Sequence, residues 1–371
     1  MEVHLLKTSV VMLLLGASAV VAQEASKPSE VVYPGPQDTP PNDRFSPGDL
    51  KSTLVVPETH VTRFRFPAID AHTHAYGETP EGVAAWVKLM DQVSVRTSFI
   101  LTAATGDEFK KLTAQYPKAY PGRFVMFAGF ETENIEAADY GDRLRRRLRE
   151  DVAAGAAGVG ELHDKGQGLV EAGGHPYFID DARFDPLWDE AGRLGVPVFV
   201  HIAEPAAFYE PADEHNDLRR SGNWSQYGKG TPGFAALLEK FEKVLQRHPR
   251  TRFVAVHSFN LTNDLGGVAR LLGRHPNVQV DFAARMWELA RQPFTARAFF
   301  LKHADRILFG TDNGPDLPMY LAHVRQFETH DEWFWPADTE WWRGYGMDLP
   351  AGVLKRIYQK NAEALLVRTP R

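Results

Sequence analysis

The sequence predicts an α/β fold, a single (β/α)8 TIM barrel, on three observations. Eight short apolar runs of strand character alternate with segments of helical spacing between residues 68 and 366. A helix, Arg-His-Pro, strand unit occurs twice in succession, around Arg247-His248-Pro249 and Arg274-His275-Pro276. Histidines and an aspartate stand at the C-terminal ends of several runs, which is where such a barrel places its chemistry. No hairpin turn signal separates the runs, so a parallel sheet is expected, and a count of eight favours closure. A doubly wound open sheet is the alternative. It would carry a glycine-rich phosphate turn after an early strand, and none is present.

The first strand is Ile69-Asp70-Ala71-His72-Thr73-His74. A two-residue period points His72 and His74 to one side, where both imidazoles can reach one ion. A His-x-His triplet alone is weak evidence in a chain with 14 histidines. Residues 82–90 have helical spacing in Val83, Trp86, Val87 and Met90, and 97–102 form strand two. Strand three, 124–129, follows the breaker Pro121-Gly122. Residues 141–154 put Leu144, Leu148 and Val152 on one helical stripe among five arginines; in an acidic chain these suit a solvated face better than nucleic acid. Strand four, 158–162, leads through Glu161 to His163 and Lys165. Asp185-Pro186 opens a helix that stops at Gly195, and strand five, 196–202, has the continuous apolar character of a strand buried on both faces. Thr231-Pro232 reads as N-cap and first-turn proline of the helix carrying Phe234, Leu237, Leu238 and Phe241. Strands six, seven and eight are 253–256, 278–280 and 307–309.

A chain of 371 residues is within the range of one such barrel with insertions. Its net charge of −6 and pI near 6.2 argue against a nucleic-acid surface and leave a small-molecule substrate as the expected partner. Self-association is left open. Residues 1–22 read as a signal peptide, with Lys7 before an apolar run over 10–21 and Val20-Val21-Ala22 as the cleavage site. That run falls short of the ~20 residues a membrane span needs, so a periplasmic or secreted protein without stable membrane insertion is expected; an uncleaved anchor is the alternative. Residues 23–60 are proline-rich, with Pro28, Pro34, Pro36, Pro40, Pro41 and Pro47, and form an extended leader lying on the domain or unordered. The barrel is assigned to 61–371. With no cysteine in the chain, disulfides are excluded and metal ligands must come from His, Asp or Glu.

Strand ends sort the histidines. His72 and His74 end strand one, His201 ends strand five, His257 follows strand six, and Asp312 follows strand eight in Phe309-Gly310-Thr311-Asp312. His248 and His275 precede their strands and belong to the opposite face, where a histidine suits a helix C-terminus. His201 taken alone is most simply a hydrogen-bonded core residue. Four histidines and an aspartate at four strand ends are different, because burying them unpaired costs several kcal/mol.

His72-Thr73-His74, His201, His257 and Gly310-Thr311-Asp312, closing with Tyr358-Gln359-Lys360-Asn361-Ala362, resemble the amidohydrolase superfamily, in particular its amidohydrolase-2 branch, over residues 68–366. The resemblance implies a divalent ion held by His72, His74, His201 and Asp312, with His257 acting on substrate. Zinc is the expected ion, and manganese also suits the donors. The branch includes decarboxylases of aminocarboxymuconate semialdehyde and γ-resorcylate, hydratases and lactone hydrolases, so the motifs do not select a substrate. Binuclear superfamily members often carry a carbamylated lysine on strand four, and this sequence has Glu161 instead. Glu161 is a bridge between two metals, a partner to a ligand, or a salt-bridge partner of Lys165; one metal is the default. The reaction expected by analogy is hydrolysis through a metal-activated water, with Asp312 and His257 as catalytic groups. Decarboxylation or hydration is the alternative, and a barrel-based periplasmic binding protein the non-enzymatic one. Arg285 and Arg291 suit a substrate carboxylate, and an ion pair with Asp281 is the competing role for Arg285. Phe208, Tyr209, His215, Asn216 and Trp224 after strand five, and Trp333, Phe334, Trp335, Trp341, Trp342 and Tyr345 after strand eight, either cover a flat apolar substrate or pack on the rim.

Overall fold

Strands that are apolar on both faces need cover on both sides. The computed structural model, which describes residues 53–218, 224–336 and 342–368, supplies it by closing the sheet on itself and wrapping it in helices. The expected signal peptide, most of the leader and Trp341 lie outside the described residues. β1 (Ala68–Thr73) is buried throughout. α1 (Pro80–Val93) starts at Thr79, whose hydroxyl accepts from the Gly82 amide at 3.1 Å, and buries Val83, Trp86, Met90 and Val93. β2 (Val95–Leu101), α2 (Gly106–Gln115), β3 (Phe124–Phe127), α3 (Tyr140–Ala153) and β4 (Val159–Asp164) follow. α2 is not anticipated by the sequence pattern, because Phe109 is its one large apolar residue that is fully buried.

After β4 the chain forms an antiparallel hairpin of β5 (Val170–Ala172) and β6 (His175–Tyr177), turned by Gly173 and Gly174, both at positive φ. This corrects the expectation that no hairpin interrupts the strand-helix alternation; the pair stands apart from the barrel sheets. α4 (Asp185–Leu194) stops at Gly195, which is left-handed. β7 (Val198–Ile202) and α5 (Phe234–Arg247) follow. α5 begins later than its sequence predicts: Gly233 takes the N-cap position, while the Thr231 hydroxyl turns back to donate to Gln226 O at 3.4 Å. β8 (Phe253–Ala255), α6 (Leu265–Arg274), β9 (Val278–Asp281), α7 (Met286–Ala290), α8 (Pro293–His303), β10 (Ile307–Leu308) and α9 (Leu317–Glu328) complete the alternation. The chain closes with α10 (Ala351–Lys355), a π turn (Arg356–Lys360) and α11 (Asn361–Leu366).

Parallel pairing gives β1-β2-β3 and β4-β7-β8-β9-β10. The two sheets join where Ala128 N donates to Gly158 O at 3.0 Å and Gly160 N to Ala128 O at 2.9 Å. They close where Ala71 N donates to Phe309 O at 2.8 Å and Asp312 N to His72 O at 2.7 Å. Inside this barrel Ile69, Ala71, Phe99, Leu101, Phe127, Phe199, Val254 and Leu308 form one apolar cluster, with Phe127 edge-on to Phe199 at 4.9 Å between ring centroids. A filled interior leaves its polar groups at the mouth.

Pairing is irregular between Asp70 and Thr73 of β1 and between Val159 and Leu162 of β4. Such irregularities re-aim side chains, and these two bracket His72 and Glu161. Residues 53–60 form no helix or strand, but Thr59 donates from its amide and hydroxyl to the Asp331 carboxylate at 2.8 and 2.5 Å. Among the described residues no helix is long and apolar enough to cross a membrane.

Candidate metal centre

Glu161, on β4, is the hub of the barrel mouth. Its Oε2 lies 3.2 Å from His72 Nε2, 3.3 Å from His74 Nε2 and 3.4 Å from His163 Nε2. Its Oε1 lies 2.8 Å from His201 Nδ1 and 3.6 Å from His257 Nε2. Asp312 faces it, with Oδ1 3.0 Å from His74 Nε2 and Oδ2 3.8 Å from His257 Nε2. The Tyr76 hydroxyl donates to Asp312 Oδ1 at 3.4 Å.

The rings of His72, His74 and His257 are each aimed by a bond at the other nitrogen, the arrangement that fixes a metal ligand's orientation. His72 Nδ1 meets Asp281 Oδ2 at 3.0 Å, His74 Nδ1 donates to Leu101 O at 2.9 Å, and His257 Nδ1 donates to Ala283 O at 2.7 Å. His201 is reversed: Nδ1 faces Glu161, and Nε2 faces Glu204 Oε2 at 3.7 Å, with Glu204 paired to Lys165 at 2.6 Å. Asp281 also accepts from the His257 amide at 2.8 Å, so one buried carboxylate fixes a ring from β1 and the backbone beyond β8. Asp70 accepts from the Thr311 amide and hydroxyl at 3.0 and 2.7 Å and ties β1 to the Asp312 loop.

The mouth is also where left-handed backbone collects. Among the described residues, seven of the eleven non-glycine residues with positive φ follow strands here: Ala203 after β7, the run His257, Ser258, Phe259 and Asn260 after β8, Ala284 after β9, and Asp312 after β10. Each such residue costs about 1–2 kcal/mol. Strain of this kind persists where the surrounding structure over-determines it, commonly at functional sites.

The donors suit a divalent cation. Three sets have ligand atoms within 4.8 Å of one another: His72, His74 and Asp312; His72, Glu161 and His257; Glu161, His163 and His201. All are imidazole nitrogens or carboxylate oxygens, as first-row divalent ions accept. Burial opposes charge on His72, but Glu161, Asp281 and Asp312 outweigh it and hold the imidazolium well above its usual range. Burial likewise opposes charge on His74, but its bonds to Asp312 and Glu161 win and raise it to about 9. Glu161 and Asp312 stay ionised, each drawn below the carboxylate range by the histidines despite its burial. The cluster therefore demands positive charge, which a cation would supply in place of protons. His257 goes the other way: burial, then His201 and Arg285, lower it to about 4, so its ring is neutral near pH 7.

All five residues singled out from strand ends, His72, His74, His201, His257 and Asp312, meet here, and Glu161 joins them. Glu161 makes no salt bridge to Lys165, which pairs with Glu204 instead. The alternative ion pair of Arg285 with Asp281 does not form either, since Asp281 is taken by His72 and His257. The Arg285 guanidinium is buried against Asn260 Oδ1 and donates to Ala284 O at 2.6 Å. Arg291 pairs with Asp217 at 2.9 Å and lies over the Trp342 ring at 4.2 Å. Phe334 is buried, Trp335 lies beneath Arg343 at 3.7 Å and the half-exposed Trp224 near Lys165 at 5.5 Å, which is rim packing. His248 pairs with Asp185 and Asp189, and His275 with Glu242, each just past a helix C-terminus. Sequence reasoning missed Asp281 and Glu204 as partners of the rings; for Glu204, its position three residues past His201 was an available signal.

Solved structures share this fold. An uncharacterised TIM-barrel protein from Bordetella bronchiseptica is 15% identical with a TM-score of 0.51, over 82% of this chain and 99% of its own. A 2,6-dihydroxybenzoate decarboxylase from Rhizobium is 16% identical with a TM-score of 0.51, over 81% of this chain and 98% of its own. No curated protein matches the sequence. The family model described as amidohydrolase matches residues 69–368, a span that holds every residue of the cluster from His72 to Asp312, and the chain belongs to the amidohydrolase family, in its amidohydrolase-2 branch.

Proposed function

We propose that the chain is a metal-dependent hydrolase of small carbonyl substrates in which Glu161 is shared by two cation sites. The observation that carries this reading is the division of donors between the two Glu161 oxygens: His72, His74 and His163 face Oε2, and His201 and His257 face Oε1. His72, His74 and Asp312 would hold one cation with Oε2, and His201 and His257 the other with Oε1. This moves beyond the single-ion expectation and takes His257 from substrate to ligand. When bound, such cations supply Lewis acidity and lower the pKa of water from 15.7 toward about 7. Asp312, ionised and partly open to the mouth, takes the proton of the attacking water at Oδ2, whose histidine neighbour, His257 Nε2, stands 3.8 Å away while Oδ1 meets His74 at 3.0 Å, and returns it to the leaving group. Arg285, adjacent to Asn260 at the same mouth, holds positive charge beside the site.

Metal analysis of the purified protein and a screen of lactones, amides and hydroxybenzoates, with carbon dioxide detection, test this. About two equivalents of zinc or manganese and cleavage of a lactone or amide are expected. Carbon dioxide release from a hydroxybenzoate without hydrolysis would replace the reading by a carboxy-lyase, and absence of metal binding by a binding protein. The same reading places the enzyme outside the cytoplasm, on the strength of Lys7, the apolar run over 10–21 and Val20-Val21-Ala22. Intact mass of the exported protein should correspond to a start near Gln23; retention of Met1 would refute export by cleavage.

A further inference from the structure

Neither cation of the proposed pair takes His163, although it meets the carboxylate they share. Alternation along β4 sends Glu161 and His163 to the same side. His163 Nε2 lies 3.4 Å from Glu161 Oε2, and its ring centroid 5.3 Å from that of His201. Glu161, His163 and His201 have ligand atoms within 4.8 Å of one another, and two of these three residues are donors of the second site. Exposure separates them. The side chains of His201, His257 and Glu161 are 6%, 2% and 2% exposed, whereas that of His163 is 49% exposed. The site of His72, His74 and Asp312 opens to solvent through its own donors His74 and Asp312. Once that site is filled, its ion closes the approach by its bulk and repels a second ion by its charge.

We propose that His163 is the loading ligand of the second site. A divalent cation from solvent binds first between His163 and Glu161, is taken up by His201, and passes to His257 as His163 lets go. This rests on the two-cation reading of Glu161. Its physical basis is dehydration: carrying a hydrated ion into a buried pocket is costly unless donors replace its waters as they leave. Glu161 and His201 belong to the entry set and to the final one, and His201 turns the same nitrogen, Nδ1, toward Glu161 for both. The His201 and His257 rings are 4.5 Å apart, so the ion exchanges one imidazole for another over a short path and always keeps protein donors. A ligand met only in passing lowers the barrier in both directions. It therefore changes the rates of entry and exit together and leaves Kd as it was.

The test is stopped-flow loading of the metal-free full chain with cobalt(II), followed by its visible absorption, with release into excess chelator as the reverse step. In His163→Ala, uptake and release of the second equivalent should both slow by about 10- to 100-fold, the size a lost partner has at a metal site. Kd and the first equivalent should not change. His163→Phe keeps a ring against His201 but has no donor; it should behave in the same way and replaces His163→Ala if that variant does not fold. His163→Glu keeps a donor at similar reach and should restore both rates. Faster loading in His163→Ala would make the ring a steric plug, and faster release with a weakened Kd would make it a resident ligand; either overturns the proposal. Two equivalents in the unaltered protein with unchanged rates in the variants would remove this proposal alone. A single equivalent at saturation would remove the two-cation reading and the loading role with it.

Discussion

Asp281 shows how much of this site is set by residues that never touch a reacting atom. It holds the His72 ring and the His257 amide with its two oxygens, and 209 positions separate it from His72. Asp281→Asn keeps the volume but offers an amide N–H where a carboxylate was required. Metal affinity should fall about 10- to 100-fold, as for other lost partners of ligating histidines, with circular dichroism unchanged; an unaltered affinity by chelator competition would remove its orienting role. His257 separates one metal from two. His257→Asn should lose about one of two equivalents. Retention of the full complement with a loss of about 10² to 10⁴ in kcat would restore it to general acid or base work. His72, His74, His201, His257 and Asp312 were legible because each sits at a strand end, a property of chain position. The roles of Asp281, Glu204 and Arg285 were not, because they depend on which side chains meet across the closed mouth.

At the scale of elements, apolar runs marked all eight barrel strands, and Gly195 marked the end of α4. The short hairpin and α2 escaped because neither carries a sustained apolar period. The irregular pairings in β1 and β4 were equally invisible, since a strict two-residue alternation contains no bulge. β10 meets β1 through Gly310: a Cβ there would lie 2.6 Å from the Cβ of His72 and 3.1 Å from its amide nitrogen. Gly310→Ala should therefore push the strand that carries His72, costing about 1–3 kcal/mol of stability as overpacking does and weakening metal binding with it. Gly314→Ala, which would meet nothing within 4 Å, is the control and should leave both unchanged. Equal melting temperatures for the two variants would show that β10 yields instead of His72.

Over the whole molecule, the donors come from β1 and the residue just past it, from β4 and β7, and from the turns after β8 and β10, so the unfolded chain has no comparable site. A ligand that binds only the folded state adds about 2.7 kcal/mol at a hundredfold excess over Kd, which corresponds to roughly 5 °C in a chain of this size. The protonation of the metal-free site gives this a pH signature. His74 is raised from 6.5 to about 9 in the folded protein, where burial is outweighed by Asp312 and Glu161. A histidine raised on folding contributes stability that is complete below its unfolded pKa and lost as pH rises through the folded one. Metal-free protein should thus lose melting temperature between pH 6.5 and about 9, as the proton that partly neutralises Glu161 and Asp312 departs. Cation loading should release protons and flatten that decline, because the charge on the carboxylates is then met by the ion at every pH in the window. Scanning calorimetry of the metal-free and loaded forms across this range checks both effects. A melting temperature of the metal-free form that rises with pH would mean that the buried carboxylates are not held ionised by the histidines, and the charge argument for a cation at Glu161 would fall with it.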